Sequence, residues 1–188
     1  MRNSKTAIFI VSCVLFLASS SAAADLKDGF LGYKWGEDIS SEKGFEFLYT
    51  KNNVSYYSNP DESYKIDDIQ VDNVIFGFYN DSLFAVHIGI DTLETYDRIK
   101  IHMKSKYGFP DRKTSNNNQL TTFKWKYQGV SIKIKVDDDK GKMKISFYHG
   151  PLSRDLEKSQ LDEISSTSDQ LFPVKKNNWP SLVPLLEF

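Results

Sequence analysis

Apolar and polar residues alternate most strictly between residues 121 and 149. A period of two is typical of strands that bury one face, since successive side chains point to opposite faces of a sheet. With a tight turn at Gln128–Gly129, Phe123 lies opposite Ile134, and Ile134 lies opposite Ile145. The pattern therefore predicts an antiparallel meander with one apolar face, made of strands at 121–128, 130–136 and 142–149.

A hairpin is predicted ahead of this meander. Two apolar runs, Val74–Tyr79 and Leu83–Ile90, flank the turn-forming residues Asn80-Asp81-Ser82. A three-residue loop pairs Phe78 with Phe84, whereas a two-residue loop places a glycine opposite Phe84. Because the first register keeps one face of the hairpin apolar throughout, we expect the three-residue loop.

Between the hairpin and the meander the apolar period changes to that of a helix, from about Thr92 to Tyr107. Asp91 is the expected N-terminal cap, and Gly108 ends the helix because glycine readily adopts the left-handed conformation. One cation, Lys100, falls inside the apolar stripe. The apolar members of the stripe are Leu93, Tyr96, Ile99, Met103 and Tyr107.

The flanking segments have weaker patterns. Residues 54–58 and about 64–71 have strand composition, and residues 30–50 fit either a short strand with a turn of helix or an irregular approach to the sheet. A short amphipathic helix is predicted at 153–164, followed by a tail at 165–188 that is either docked or mobile.

These elements predict an α+β fold with one domain over residues 25–150. Its core is an antiparallel sheet of about five to seven strands, a hairpin and a three-stranded meander among them, packed on one main helix. The short C-terminal helix and the extended tail, at 151–188, follow this domain.

The first 24 residues have the layout of a cleaved secretory signal. Two basic residues precede an apolar run over 7–18, which is too short to span a bilayer, and Ala22-Ala23-Ala24 follows. We therefore expect a periplasmic or secreted protein with no transmembrane segment and, once Cys13 is removed, no disulfide. Alternatively, Ile10-Val11-Ser12-Cys13 resembles a lipobox, which would leave the protein lipid-anchored through Cys13.

Charge is distributed unevenly along the chain. Residues 25–98 hold 15 acidic and 6 basic side chains, whereas residues 99–150 hold 12 basic and 4 acidic ones. The whole chain has a net charge of −1, which argues against a nucleic-acid partner. The imbalance nevertheless allows a local basic surface in the second half of the domain.

The meander concentrates lysines on the face opposite its apolar one. In the predicted register Lys124 faces Lys133 and Lys135 faces Lys144, and like charges in direct opposition disfavour strand pairing. This face is either solvated or a binding surface for an acidic protein, an anionic glycan or lipid head groups. The lysines of this candidate surface are Lys124, Lys126, Lys133, Lys135, Lys142 and Lys144.

No catalytic or metal site is expected from motifs. The three histidines have no metal-ligand spacing, and Asp137-Asp138-Asp139-Lys140-Gly141 lacks the spacing of a calcium loop. No cofactor is implied. A histidine with acidic neighbours, based on His87 or His149, remains an alternative basis for a hydrolase, whereas His102 is expected at the solvent-exposed flank of the helix.

Four short motifs carry a resemblance that spans about residues 30–150: Gly32-x-x-Trp35-Gly36, the hairpin residues 78–84, Tyr107-Gly108-Phe109-Pro110 and Trp125. In this order they resemble a group of small exported bacterial proteins of uncharacterised function. More distantly, the chain is similar to the outer-membrane assembly lipoproteins and to β-lactamase-inhibitor-like domains. It differs from those lipoproteins in lacking two helices ahead of the sheet and in its expected loss of the acylated cysteine.

The expected function is therefore an exported, non-enzymatic binding or interaction module of unknown ligand. The alternatives are the histidine-based hydrolase and a proteinaceous inhibitor of a secreted enzyme.

Overall fold

The computed structural model describes residues 25–40, 42–51, 53–115 and 119–154, together with 156, 160, 161, 164, 167 and 170. Antiparallel strands make up most of it, beside a main helix, α1, at Leu93–Tyr107. The strands are β1 (Gly29–Phe30), β2 (Tyr33–Lys34), β3 (Glu46–Lys51), β4 (Val54–Ser58), β5 (Tyr64–Ile66), β6 (Ile69–Val71), β7 (Val74–Tyr79), β8 (Ser82–Ile90), β9 (Asp111–Thr114), β10 (Leu120–Tyr127), β11 (Val130–Asp137) and β12 (Lys142–His149).

Eight strands form one sheet in the order β3-β4-β7-β8-β12-β11-β10-β9, and β1–β2 and β5–β6 form separate hairpins. The α+β class is confirmed, but the expected five to seven strands were too few. The additional strands at the two edges of the large sheet, β3 and β9, do not alternate buried apolar residues with exposed polar ones, so their sequences do not reveal them. All four residues of β9 are polar, and every residue of β3 except Lys51 is exposed.

The predicted meander is confirmed in its register. Phe123 lies opposite Ile134, which in turn lies opposite Ile145, and the β10–β11 turn is Gln128–Gly129. Both turn residues have positive φ angles, 44° and 86°, which suits the right-handed twist of a two-residue hairpin. One side chain also ties the meander to the helix, since Trp125 donates its Nε1–H to the carbonyl oxygen of Gly108 at 2.8 Å.

The predicted three-residue loop between β7 and β8 is wrong. Asn80 and Asp81 have positive φ angles of 49° and 61° and form a two-residue turn, so that Phe78 lies opposite Leu83. A bulge then leaves Phe84 without an opposite residue and restores the expected pairing farther along the hairpin. Because the bulge shifts the alternation, the ring of Phe84 lies on the opposite face from that of Phe78.

The cap of α1 is Thr92 rather than Asp91. The Oγ1 atom of Thr92 accepts the backbone N–H of Thr95 at 3.1 Å. The carboxylate of Asp91 instead accepts a hydrogen bond from the side-chain amide of Asn73 at 2.6 Å, which joins the start of the helix to the residue just before β7. Gly108, with a φ angle of 79°, ends α1 as predicted.

The near face of the sheet, defined as the face that packs against α1, is apolar from β7 to β10. Tyr96, Ile99 and Met103 of α1 are buried there, as the stripe predicted. The two small hairpins extend this cover, because Tyr33 of β2 and Tyr64 of β5 place their rings against that of Phe76. The sheet residues at its centre are Phe76, Ile88, Phe123, Ile134, Ile145 and Phe147.

The far face, opposite α1, is partly covered by residues after β12, here called the C-terminal segment (151–170). The predicted helix over 153–164 is wrong at its start, because residues 151–154 form turns; helical backbone is described at 160, 161, 164, 167 and 170. The expected signal, residues 1–24, and the tail beyond residue 170 lie outside the described residues. In the described part of the chain, no helix is both long and apolar enough to cross a membrane.

Candidate functional site

The far face has an apolar half and a cationic half. Over β4, β7 and β8 the side chains are apolar, and residues of the C-terminal segment cover them. Over β10, β11 and β12, six of the twelve far-face positions are lysines. The buried residues of the apolar half are Val54, Tyr56, Ile75, Phe84, Ala85, Tyr148, Leu156 and Ile164.

The lysines have the predicted cross-strand neighbours, but they differ in exposure. Lys124 lies opposite Lys133, and Lys135 lies opposite Lys144. Lys126 is exposed, and Lys124, Lys133, Lys135 and Lys142 are half-buried. Lys144, in contrast, is only 3% exposed. The six predicted lysines therefore do not form one continuous exposed surface.

A pocket of about 390 Å³ lies in the cationic half of the far face, next to the β10–β11 turn. Lys124, Lys126 and Lys133 are among its lining residues, and Tyr148 and Leu161 supply apolar surface. The Nζ atom of Lys133 lies 4.9 Å from the centroid of the Tyr148 ring, a cation–π distance. The pocket thus combines ammonium groups with an aromatic wall.

The chain after β12 builds the rim of the pocket. Gly150 donates its N–H to the carbonyl oxygen of Gly129 at 2.8 Å, which holds the start of the C-terminal segment against the β10–β11 turn. Ser153, whose N–H bonds to the carbonyl oxygen of His149 at 3.1 Å, then lines the pocket. A further lining residue, Ser131, has a buried Oγ atom that hydrogen-bonds to no described residue.

Lys124 also has an acidic neighbour. On the side away from Lys133 it lies opposite Asp111 of β9. Lys126 lies opposite Ser131 instead, so no carboxylate is its direct partner in the strand register. The positive potential of the pocket is therefore expected to be stronger towards Lys126 than towards Lys124.

His87 lies where the two halves of the far face meet. It is fully buried, and its Nδ1 atom is 2.9 Å from the Oγ atom of Ser146, which is also buried. The rings of Tyr56 and Tyr148 lie on either side, with centroids 6.4 and 5.5 Å away. Burial, aided by the positive charges of Lys144 and two further lysines, holds the pKa of His87 well below its ordinary value.

This environment bears on the histidine-based alternative. In the described residues the partner of His87 is a hydroxyl rather than a carboxylate, and both groups are enclosed. His149 stacks on Trp35, with ring centroids 5.7 Å apart, and burial lowers its pKa. His102 does not stand free at the helix flank as expected, because its Nδ1 atom is 3.5 Å from a carboxylate oxygen of Asp67. His87 and His149, the two histidines of the hydrolase alternative, therefore provide no open acid–base pair among the described residues.

The chain matches no protein-family model, no curated protein and no solved structure. The resemblance to small exported bacterial proteins therefore remains a prediction, and the candidate site depends on the geometry of this chain alone.

Sequence reasoning missed three contributors to the pocket. These are Tyr148, Ser131 and Leu161, since the predicted surface consists of lysines alone. A usable signal exists for Tyr148, since it is the one aromatic residue among the far-face positions of β10, β11 and β12. Nothing local in the sequence indicates that Leu161 returns to this hairpin.

Proposed function

We propose that this chain is an exported, non-enzymatic binding module that holds an anionic group of its partner in the lysine-lined pocket. One observation carries the proposal: the pocket of about 390 Å³ is lined both by three lysines and by the apolar surface of Tyr148 and Leu161. Such a site suits a ligand that joins an anionic group to an apolar or ring-shaped part.

The concave shape of the pocket strengthens this interpretation. Ammonium groups in a concave site that excludes part of the water interact with an anion more strongly than the same groups on an open surface. Lys126, which has no carboxylate opposite it, is the cation that we expect to contribute most to binding, with Lys124 beside it on β10.

Three kinds of partner present this chemistry: an acidic protein segment, an anionic glycan and a lipid head group. They share carboxylate, sulfate or phosphate oxygens, which a lysine binds as a point charge. A polyglutamate peptide, a sulfated oligosaccharide and vesicles that contain phosphatidylglycerol serve as probes that distinguish them.

The binding test compares two double variants with the same change in net charge. Lys124→Glu with Lys126→Glu reverses the charge of the pocket, whereas Lys43→Glu with Lys65→Glu changes exposed lysines elsewhere. Titration by calorimetry should show at least one probe whose affinity falls about tenfold or more in the pocket variant only. Its affinity for the wild-type protein should also fall as salt is added.

Two results would overturn the proposed site. If none of the three probes binds to the wild-type protein, the pocket is not a site for this chemistry. If both double variants weaken binding equally, the overall charge of the protein is responsible rather than the pocket.

Export has its own test. The intact mass of the protein isolated from its source should correspond to a chain that begins at Asp25. A lipid-modified mass that begins at Cys13 would replace this proposal with the lipid-anchored alternative.

A further inference from the structure

The two edges of the eight-stranded sheet differ in their side chains. β9 ends the sheet with four polar residues, two of them basic, which is a common way to prevent an edge from pairing with another chain. β3 ends it with three consecutive large apolar residues, and these are exposed: Phe47 by 59%, Leu48 by 37% and Tyr49 by 45%. No described strand pairs with the outer side of β3.

We propose that β3 pairs with β3 of a second copy of this chain, antiparallel and about a two-fold axis. The six residues are self-complementary in one register. Glu46 then lies opposite Lys51 of the second copy, Phe47 opposite Thr50, and Leu48 opposite Tyr49. All six residues are paired, and the acidic and basic ends meet twice, once at each end of the new ladder.

The bulge in β3 makes this register consistent with the two faces of the sheet. Residues that are directly opposite must share a face, and Glu46 and Lys51 are separated by an odd number of positions, which puts them on different faces of a regular strand. In this structure the register with β4 shifts between Phe47 and Tyr49. Glu46 consequently lies opposite Ser58, and Lys51 lies opposite Val54.

Ser58 and Val54 are four residues apart on β4, so they point to the same face, and their partners Glu46 and Lys51 do the same. By the same reasoning Phe47, opposite Tyr57, shares the other face with Thr50, opposite Ser55. In the dimer, the Glu46–Lys51 ion pairs thus lie on one face of the sheet, and the Phe47–Thr50 contacts lie on the other.

This dimer is independent of the proposed binding function. It joins the two sheets at the β3 edges, whereas each pocket lies near the β10–β11 turn, towards the other edge. Both pockets stay open, so the dimer would present two sites to a partner that has repeated anionic groups.

Charge reversal at the ends of β3 tests the register. The single variants Glu46→Lys and Lys51→Glu each place like charges opposite one another at both ends of the ladder. In sedimentation equilibrium from about 1 to about 300 μM, the wild-type protein should form a dimer, and each variant should dissociate about tenfold more readily or more. The controls Glu62→Lys and Lys65→Glu carry the same charge changes on exposed residues away from this edge and should dimerise like the wild type.

An equimolar mixture of the two single variants provides the decisive measurement. In the mixed dimer, the position changed by Glu46→Lys in one chain meets the position changed by Lys51→Glu in the other. The unchanged Lys51 of the first chain meets the unchanged Glu46 of the second at the opposite end, so both ends are complementary again. The mixture should therefore dimerise within about threefold of the wild-type affinity. A wild-type protein that is monomeric throughout, single variants that dimerise as well as the wild type, or a mixture that stays as weak as its components would each overturn the proposal.

Discussion

The near and far faces of the sheet consist of the same strands but differ in what they bury. The near face packs apolar side chains continuously from β7 to β10 beneath α1. The far face buries apolar side chains over half of its width and carries lysines over the other half. At the boundary it buries His87, Ser146 and Lys144, which are costly groups to take out of water.

The two faces also differ in their contribution to stability: the near face holds stabilising pairs, and the far face holds pairs of like charge that reduce stability. Every near-face pairing, such as Ile134 opposite Ile145, favours the folded state. Lys124 opposite Lys133 and Lys135 opposite Lys144 oppose strand pairing, and the fold tolerates them because the near face is well packed. Proteins depart from local consistency most often where they function, which supports the search for a site on the far face.

Loss of a near-face aromatic residue should have the largest effect. Phe147 is fully buried, and its ring centroid is 3.9 Å from that of Phe30. Phe147→Ala should lower the free energy of unfolding by about 3 to 5 kcal/mol, measured by urea denaturation, because it leaves a large cavity. Phe109→Ala, at a residue that is 78% exposed, should change it by less than about 0.5 kcal/mol. Similar losses in the two variants would contradict a dominant near-face core.

The near face could be predicted from the sequence because its signals are local. Strict alternation placed Phe123, Ile134 and Ile145 on one face and in the correct register, and the helical period identified the buried stripe of α1. The errors were also local. Thr92 and Asp91 are both good caps, and the choice between them depends on Asn73, which hydrogen-bonds to the carboxylate of Asp91.

The far face could not be predicted, because its environment depends on distant parts of the chain. Tyr56 donates its hydroxyl to the carbonyl oxygen of Ile164 at 3.4 Å, across 108 positions of sequence. Alternation along the strands gives no sign that His87 and Ser146 are buried, as they are in the structure. The pocket has the same origin, since Ser153 and Leu161 complete it from beyond the meander.

The second prediction tests whether the apolar half of the far face is a true core. Ile164 is buried against it, and Ile164→Ala should weaken the docking of the C-terminal segment by about 2 kcal/mol. Local opening of the segment would then be about thirtyfold more frequent, and limited proteolysis should cut within residues 151–170 correspondingly faster. Gln170→Ala, at an exposed helical position of the same segment, is the matched control and should leave the cleavage rate unchanged.

The smallest expected effect is a pH dependence that originates at the boundary between the two halves. Burial, together with Lys144, Lys135 and Lys133, holds the pKa of His87 in the folded protein well below the value of about 6.5 that it has when unfolded. Below pH 6.5 the unfolded chain therefore binds a proton that the folded chain does not. Stability is full above that pH and decreases, as the pH falls, by up to about 1.4 kcal/mol per pH unit.

Urea denaturation between about pH 8 and about pH 5 measures this decrease. His87→Gln keeps a side chain that can bond to Ser146 but removes the titrating group, so its stability should depend less on pH over this range. His149→Gln removes the other histidine whose pKa is lowered by burial, and it should reduce the slope by less than His87→Gln does. A His87→Gln variant with the full slope would mean that the unfolded chain gains its proton at another group. The buried histidine of the far face would then contribute nothing to the pH dependence of stability.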